Sequence, residues 1–220
     1  MLEITIDTII KEKCPQIRLG CIQANIEVEL EFAGLWDEFN TEMAIMTEGM
    51  VNADIHKRTT IAAARQAYKA LGKDPSRYRP SAEALLRRSL SGKELYQVNN
   101  LVDLINWMSL RTGFSIGGYD LSAIQGDITH SVGLENDEYE GLGRGLLNIT
   151  NLPVLRDELG AFGCPTSDST RTGIQLHTTS CLWVYYDFGG DAALQKAMED
   201  SVALMEKFAK GTDFEMSIMD

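Results

Sequence analysis

Thr179-Ser180-Cys181-Leu182-Trp183-Val184-Tyr185-Tyr186-Asp187-Phe188 alternates at period two, with Leu182, Val184 and Tyr186 on one side and Trp183, Tyr185 and Asp187 on the other. That is the pattern of a β-strand. The chain before it has the same texture from residue 115 onward. Ser115–Asp120, Asp127–Leu134, Gly145–Thr150 and Gly173–Phe188 are short, alternating and punctuated by glycine, which predicts a β-rich second half. After the strand, residues 191–209 place Leu194, Ala197, Met198, Ser201, Val202, Met205 and Phe208 at helical spacing, with Gly211 as the expected stop.

The first half is more helical. Strands are expected over residues 2–6 and 17–30, the second because Ala24, Ile26, Val28 and Leu30 alternate with polar neighbours. Leu35, Phe39, Met43 and Met46 predict a helix over 35–48. Thr59 or Thr60 should cap another that runs to Leu71 before Gly72. Asp74-Pro75 reads as a helix restart, and Ser81 as the cap of 82–90. Asn100 opens a strongly apolar helix to Thr112, with Leu101, Leu104, Ile105 and Met108 on its core face. No repeat or linker divides the chain, so the expectation is one α+β domain.

Length and composition agree with that. Of 220 residues 44% are apolar and 24% charged, which excludes a disordered, fibrous or disulfide-stapled chain. No apolar run approaches the ~18 residues of a membrane span. The first thirteen residues lack the apolar core of a signal peptide. A cytoplasmic protein with no membrane partner is expected. Cys14, Cys21, Cys164 and Cys181 form no CxxC pair, and His56, His130 and His177 are scattered, so neither metal nor cofactor is expected.

Net charge is −12, yet ten of the 20 Lys and Arg residues fall between His56 and Lys93 against only Asp74 and Glu83, a local +8. Either this is a solvated helical face or it faces a polyanion. Two other features bear on chemistry. Thr166-Ser167-Asp168-Ser169-Thr170-Arg171-Thr172 could present hydroxyls and a carboxylate to a small polar ligand, or be an Asx/Ser turn after a turn at 160–163. Asn106 flanks the apolar stripe and is either a structural tie or a ligand contact. Gly141-Leu142-Gly143-Arg144-Gly145 lacks nucleotide-loop spacing and reads as close backbone packing with Arg144 reaching an acid.

Four strings taken together resemble a known family. They are Arg79-Pro80-Ser81-Ala82-Glu83-Ala84-Leu85-Leu86-Arg87-Arg88, Asn99-Asn100-Leu101-Val102-Asp103-Leu104-Ile105-Asn106, Gly118-Tyr119-Asp120-Leu121 and Phe162-Gly163-Cys164-Pro165-Thr166-Ser167-Asp168-Ser169. The sequence resembles the B3/B4 domain of the phenylalanyl-tRNA synthetase β subunit, in its free-standing form, over roughly residues 55–190. The resemblance implies a three-layer α+β fold with a β-sandwich-like core and flanking helices. Residues 1–54 would then be a strand and helix extension, and 191–220 a C-terminal helix. It also implies tRNA or aminoacyl-tRNA as partner, and hydrolysis of a mischarged aminoacyl ester as the activity.

Transfer of the family's pocket is partial. Its asparagine matches Asn106. Its threonine is Ile105 here and its histidine is Gly117, and its late glutamate has no equivalent near Gln175–His177. The resulting expectation makes Asn106 and Asp168 catalytic, with Thr166, Ser167, Ser169 and Gly117 binding substrate. Arg65, Lys69, Arg79, Arg87 and Arg88 would bind RNA. With no histidine or glutamate in place, the pH–rate profile should lack an inflection near neutrality. The alternative is a non-catalytic binding protein for an amino acid or related small molecule.

Overall fold

A computed structural model describes residues 3–220. Its elements are β1 (Ile4–Ile6), α1 (Thr8–Lys13), β2 (Arg18–Asn25), α2 (Leu35–Thr47), α3 (Thr59–Ala70), α4 (Ser81–Leu90), α5 (Asn100–Thr112), β3 (Ser115–Asp120), β4 (Ile128–Val132), β5 (Glu140–Gly141), β6 (Gly145–Leu146), β7 (Pro153–Asp157), β8 (Gly160–Gly163), β9 (Ser180–Asp187), α6 (Leu194–Ala209) and β10 (Thr212–Met219). Short 3-10 turns occupy Ile55–Lys57 and Leu121–Ala123.

One sheet has the order β1-β4-β7-β8 and the other β10-β2-β9-β3, with β5 and β6 as a separate hairpin. The second sheet is antiparallel throughout; in the first, β1 runs parallel to β4. The alternation along β9 explains the layering. Leu182, Val184 and Tyr186 pack with Leu19 and Cys21 of β2 toward Ile128, Leu155 and Phe162 of the other sheet. Cys181, Trp183 and Tyr185 point the opposite way, into a core shared with α2, α4, α5 and α6. Both faces of β9 are therefore covered, one by a sheet and one by helices. Burying each large apolar side chain contributes roughly 1.5–3 kcal/mol. This is the expected three-layer α+β arrangement.

Most helices end within a residue or two of their expected bounds, but the caps differ. Asn99, not Asn100, caps α5 by accepting from the Val102 N–H at 2.9 Å. That frees Asn100 for a different task. Its Oδ1 accepts from the Glu29 and Leu101 N–H groups, and its Nδ2 donates to the carbonyls of Glu27 (3.0 Å) and Phe208 (2.8 Å). A buried carboxamide with this many partners is a tie among three segments. It also explains why β2 stops at Asn25 although the apolar alternation continues to Leu30. Residues 26–30 find their partners in Thr179, Ala209 and Asn100 instead of in a ladder.

Other expectations need correction. Neither threonine caps α3: Thr59 donates to Asp191 and Thr60 to the Thr112 carbonyl. Arg58 precedes the helix and places its guanidinium on the carbonyls of Leu110 and Arg111, the negative end of α5. Asp74-Pro75 makes only a turn, in which Asp74 accepts from the Ser76 N–H. The 160–163 segment is strand β8, paired with β7. Lys210, in the left-handed region at φ 49°, ends α6, and a strand not expected from the sequence, β10, follows it. Residue 2 of the expected first strand lies outside the described residues.

His130 of β4 is fully buried between the sheets, against the rings of Tyr186 and Phe188, and neither ring nitrogen has a hydrogen-bond partner. Burial pushes its pKa down to about 3. The unfolded chain takes up this proton near pH 6.5 and the folded chain does not, so stability falls as pH drops below that value. Between pH 7 and pH 5 the loss from this group is about 2 kcal/mol. In urea unfolding, His130→Leu should therefore gain stability relative to the parent by about that amount over the same interval. An offset that does not change with pH would mean the imidazole is charged or solvated in the folded state.

Candidate functional site

β3 is an edge strand. One side pairs with β9; the other would leave its N–H groups open. The loop after β8 closes that edge. Asp168 Oδ2 accepts from the Gly118 N–H at 3.2 Å, and the Asp120 N–H donates to the Thr172 carbonyl at 2.9 Å. Asp168 Oδ1 accepts from the Tyr119 hydroxyl at 2.6 Å, and that hydroxyl lies 2.9 Å from the hydroxyl of Tyr186. The carboxyl thus meets one backbone and one phenolic donor. Burial raises its pKa, and the bonds from Tyr119 and Gly118 oppose the rise; the result is about 7. The residue as a whole is only partly buried. A carboxyl that titrates near neutrality is suited to proton transfer.

Glycines make this possible. A Cβ on Gly117 would lie 2.0 Å from the Tyr119 hydroxyl and 2.9 Å from Asp168 Oδ1, and one on Gly163 would lie 2.2 Å from the same hydroxyl. Tyr119 therefore fills the space that a side chain at 117 would need. Gly118 turns to the opposite face, where the Ile105 methyl presses on it. Ile105 of α5 and the Asp168 carboxyl thus meet at one residue. Asn106, the next along α5, is half-buried, and its side chain has no hydrogen-bond partner among the described residues.

The other loop residues are largely occupied. Thr166 is buried with its hydroxyl 2.9 Å from that of Tyr68, and Ser169 is buried and accepts from the Arg171 N–H. Ser167 is partly exposed and weakly bonded to the Leu142 carbonyl at 3.4 Å. Tyr139 donates to the Ser167 carbonyl at 2.7 Å. Cys164 is buried and its thiol is pushed up to about 11, which leaves it protonated and inert. Tyr68, Tyr119 and Tyr139 are the residues that sequence reasoning missed. Buried aromatics in alternating segments carry no signal that separates them from ordinary core. No group of His, Cys, Asp and Glu placed to hold a metal ion occurs among the described residues.

The five expected RNA-binding residues separate into three kinds. Arg65 and Arg87 turn inward to Glu83, a fully buried carboxylate, at 2.7 and 2.9 Å; His56 lies 3.2 Å from it. Burial alone would raise the Glu83 pKa, but these three partners together hold it below the usual carboxylate range. Arg88 bonds the Glu94 carbonyl and lies over the Tyr96 ring. Lys69 and Arg79 are exposed and have no charged partner among the described residues; Arg77 and Arg144 share that property. Arg144 thus does not reach an acid as expected. It sits on the β5–β6 hairpin, whose Gly141 packs on Ser167.

Two bonds bring the free cations to the loop. Tyr68, beside Lys69, bonds Thr166, and the Ser81 N–H, two residues from Arg79, donates to the Pro165 carbonyl at 2.7 Å. The elements that carry Lys69, Arg79 and Arg144 thus each touch residues 165–168 through a neighbouring residue. A family model described as the B3/4 domain matches residues 63–217, most of the length. The chain belongs to the B3/4 domain family. No curated protein matches. Among solved structures, an N-terminal fragment of the phenylalanyl-tRNA synthetase β subunit from Pyrococcus horikoshii matches with TM-score 0.46 and 10% identity, over 99% of this chain and 50% of the other. This B3/4 chain spans about half the length of that fragment.

Tyr119→Phe should show whether the phenol controls the carboxyl. Its hydrogen bond holds the Asp168 pKa down, so its loss leaves burial less opposed. The titration, followed by NMR of the side-chain carboxyl carbon, should move upward from about 7. No movement, or a downward one, would show that the hydroxyl does not donate to Asp168.

Proposed function

We propose that this B3/4 domain binds the aminoacyl end of a tRNA and hydrolyses the ester of a mischarged one. The observation that carries this reading is that Lys69, Arg79 and Arg144, exposed cations with no charged partner among the described residues of an otherwise acidic protein, sit on three elements that each contact the Asp168 loop. Phosphates of an acceptor end can meet them while the ester reaches the β3 edge.

In this reading Asp168 takes a proton from water as the water oxygen bonds to the ester carbonyl carbon. The carbon–oxygen bond to the terminal ribose then breaks, and the ribose oxygen leaves as a hydroxyl with the proton returned by Asp168. Asn106, with its carboxamide unpartnered, orients the ester or the α-amino group. Tyr119 acts through Asp168 and is a positioning residue. It takes the space of the side chain that the family's pocket has at position 117. Ser167 and Thr170 are the loop hydroxyls held loosely enough to contact substrate. The same residues without hydrolysis, holding an amino acid or related molecule, are the second reading. It is favoured by the burial of Thr166 and Ser169, which leaves few groups to act.

Incubation with a panel of mischarged aminoacyl-tRNAs decides between them. Deacylation should follow a pH profile with an inflection near 7, a departure from the flat profile expected of a pocket without histidine or glutamate. Asp168→Asn should lower the rate by about 10²-fold or more and remove the inflection. Inactivity toward every member, with an amino acid raising the melting temperature, would establish the binding-only reading.

Affinity for tRNA should fall steeply with salt. Lys69→Gln combined with Arg79→Gln should flatten the slope of log K against log salt by up to ~2, about one per phosphate contact. Arg65→Gln with Arg87→Gln should instead lower stability, by about 3 kcal/mol, because it strands Glu83 in the interior. Equal slopes for the Lys69/Arg79 variant and the parent would remove these cations from the interface.

A further inference from the structure

A cavity of about 650 Å³ opens between α2 and the segment that follows α4. Trp36, Phe39 and Met43 of α2 form its apolar wall. Trp36 is held in place by its Nε1, which donates to Asp103 at 2.9 Å. Across from it stands Tyr96, 67% exposed although aromatic. The Arg88 guanidinium lies 4.0 Å from the centre of that ring, steadied by a 2.7 Å bond from its Nε to the Glu94 carbonyl. Neither Arg88 nor Lys93, also on the rim, has a carboxylate partner among the described residues; Glu94 is the one acid there.

This set of groups discriminates between ligand classes. A fatty acid would need an apolar tunnel, but Asn40 and Gln97 line the wall. Carboxamides can satisfy the donor and acceptor edge of a planar base. Aromatic faces beside cations form the platform on which bases of single strands stack, with backbone phosphate on the cations. We propose that this groove binds a nucleotide of single-stranded RNA, its base between Trp36 and Tyr96 and its phosphate on Arg88 and Lys93. The proposal concerns a site apart from Asp168 and does not require deacylation.

The test uses the full chain with AMP and a fluorescein-labelled hexa-adenylate. Trp107 and Trp183 are buried, so Trp36 reports on the groove, and both probes should quench its emission saturably. Tyr96→Ala should weaken AMP about tenfold. Arg88→Gln with Lys93→Gln should weaken the hexamer at least tenfold and flatten its salt slope by ~1.4, about 0.7 per phosphate contact on a single strand. Lys93→Gln alone, at an exposed site with no partner to lose, should show about half of that slope change in a chain that folds normally. Lys69→Gln with Arg79→Gln should leave AMP binding unchanged, which separates this groove from the surface beside Asp168. The proposal is overturned if neither probe quenches at millimolar concentration. It is equally overturned if the groove variants bind like the parent, or if an acidic peptide saturates the site while both nucleotide probes stay inert.

Discussion

Strand β9 cannot leave either face in water. Leu182, Val184 and Tyr186 are buried on one side and Cys181, Trp183 and Tyr185 on the other. A strand that is apolar on both faces must be the middle layer of something. One face takes a second sheet, the other takes helices, and every other element is placed by that demand. Flanking β9, β2 alternates in the same sense, sending Leu19 and Cys21 to the sheet side and Ile22 and Ala24 to the helices. β10 lies beyond β2 on the one edge, and β3 forms the other. The open edge of β3 is where chemistry becomes possible, because its N–H groups need partners that no further strand supplies. Asp168 provides one of them and gains an environment that shifts its proton affinity.

How much of this was legible follows from how strongly each element depends on its own residues. α5 and α6 carry apolar stripes over three or four turns, and β9 alternates through large side chains; such signals survive any tertiary context. β8 did not, because Gly160-Ala161-Phe162-Gly163 has glycines at both ends and reads as a turn. Pairing with β7 makes it a strand. β10 is mostly exposed or half-buried and polar, and is held by its ladder with β2 and not by burial. The segment 26–30 shows the opposite failure. Its alternation is real, but Asn100 and Ala209 take its hydrogen bonds before a neighbouring strand can.

The candidate site divides in the same way. Asp168 stood out because a run of polar side chains after Gly163 is uncommon. Gly117 was marked only by the resemblance, as the place of a missing histidine, and nothing in the sequence tied the Tyr119 phenol to Asp168. Glu83 was visible only as a counter-charge, yet it decides the fate of Arg65 and Arg87. A buried carboxylate needs partners drawn from wherever the fold offers them, and it took two arginines from a cluster that looked uniform along the chain. Charge counted by position therefore overstated the surface available to a polyanion. The cations that remain free are fewer, but three of them sit on α3, the turn before α4 and the β5–β6 hairpin, elements that each touch the Asp168 loop.

The two buried carboxylates show why burial alone does not determine chemistry. Burial pushes both carboxyls upward, yet Glu83 is held below the usual range and Asp168 rises to about 7. The difference lies in the partners. Glu83 faces two guanidiniums, whose positive charge and hydrogen bonds, with a further contact from the His56 ring, outweigh the cost of leaving water. Asp168 faces a phenol and a backbone amide, which donate hydrogen bonds but bring no net charge. The first arrangement fixes a proton state and so serves structure. The second leaves the two proton states close in energy near neutral pH, which is the condition a group must meet to give and take a proton within one reaction.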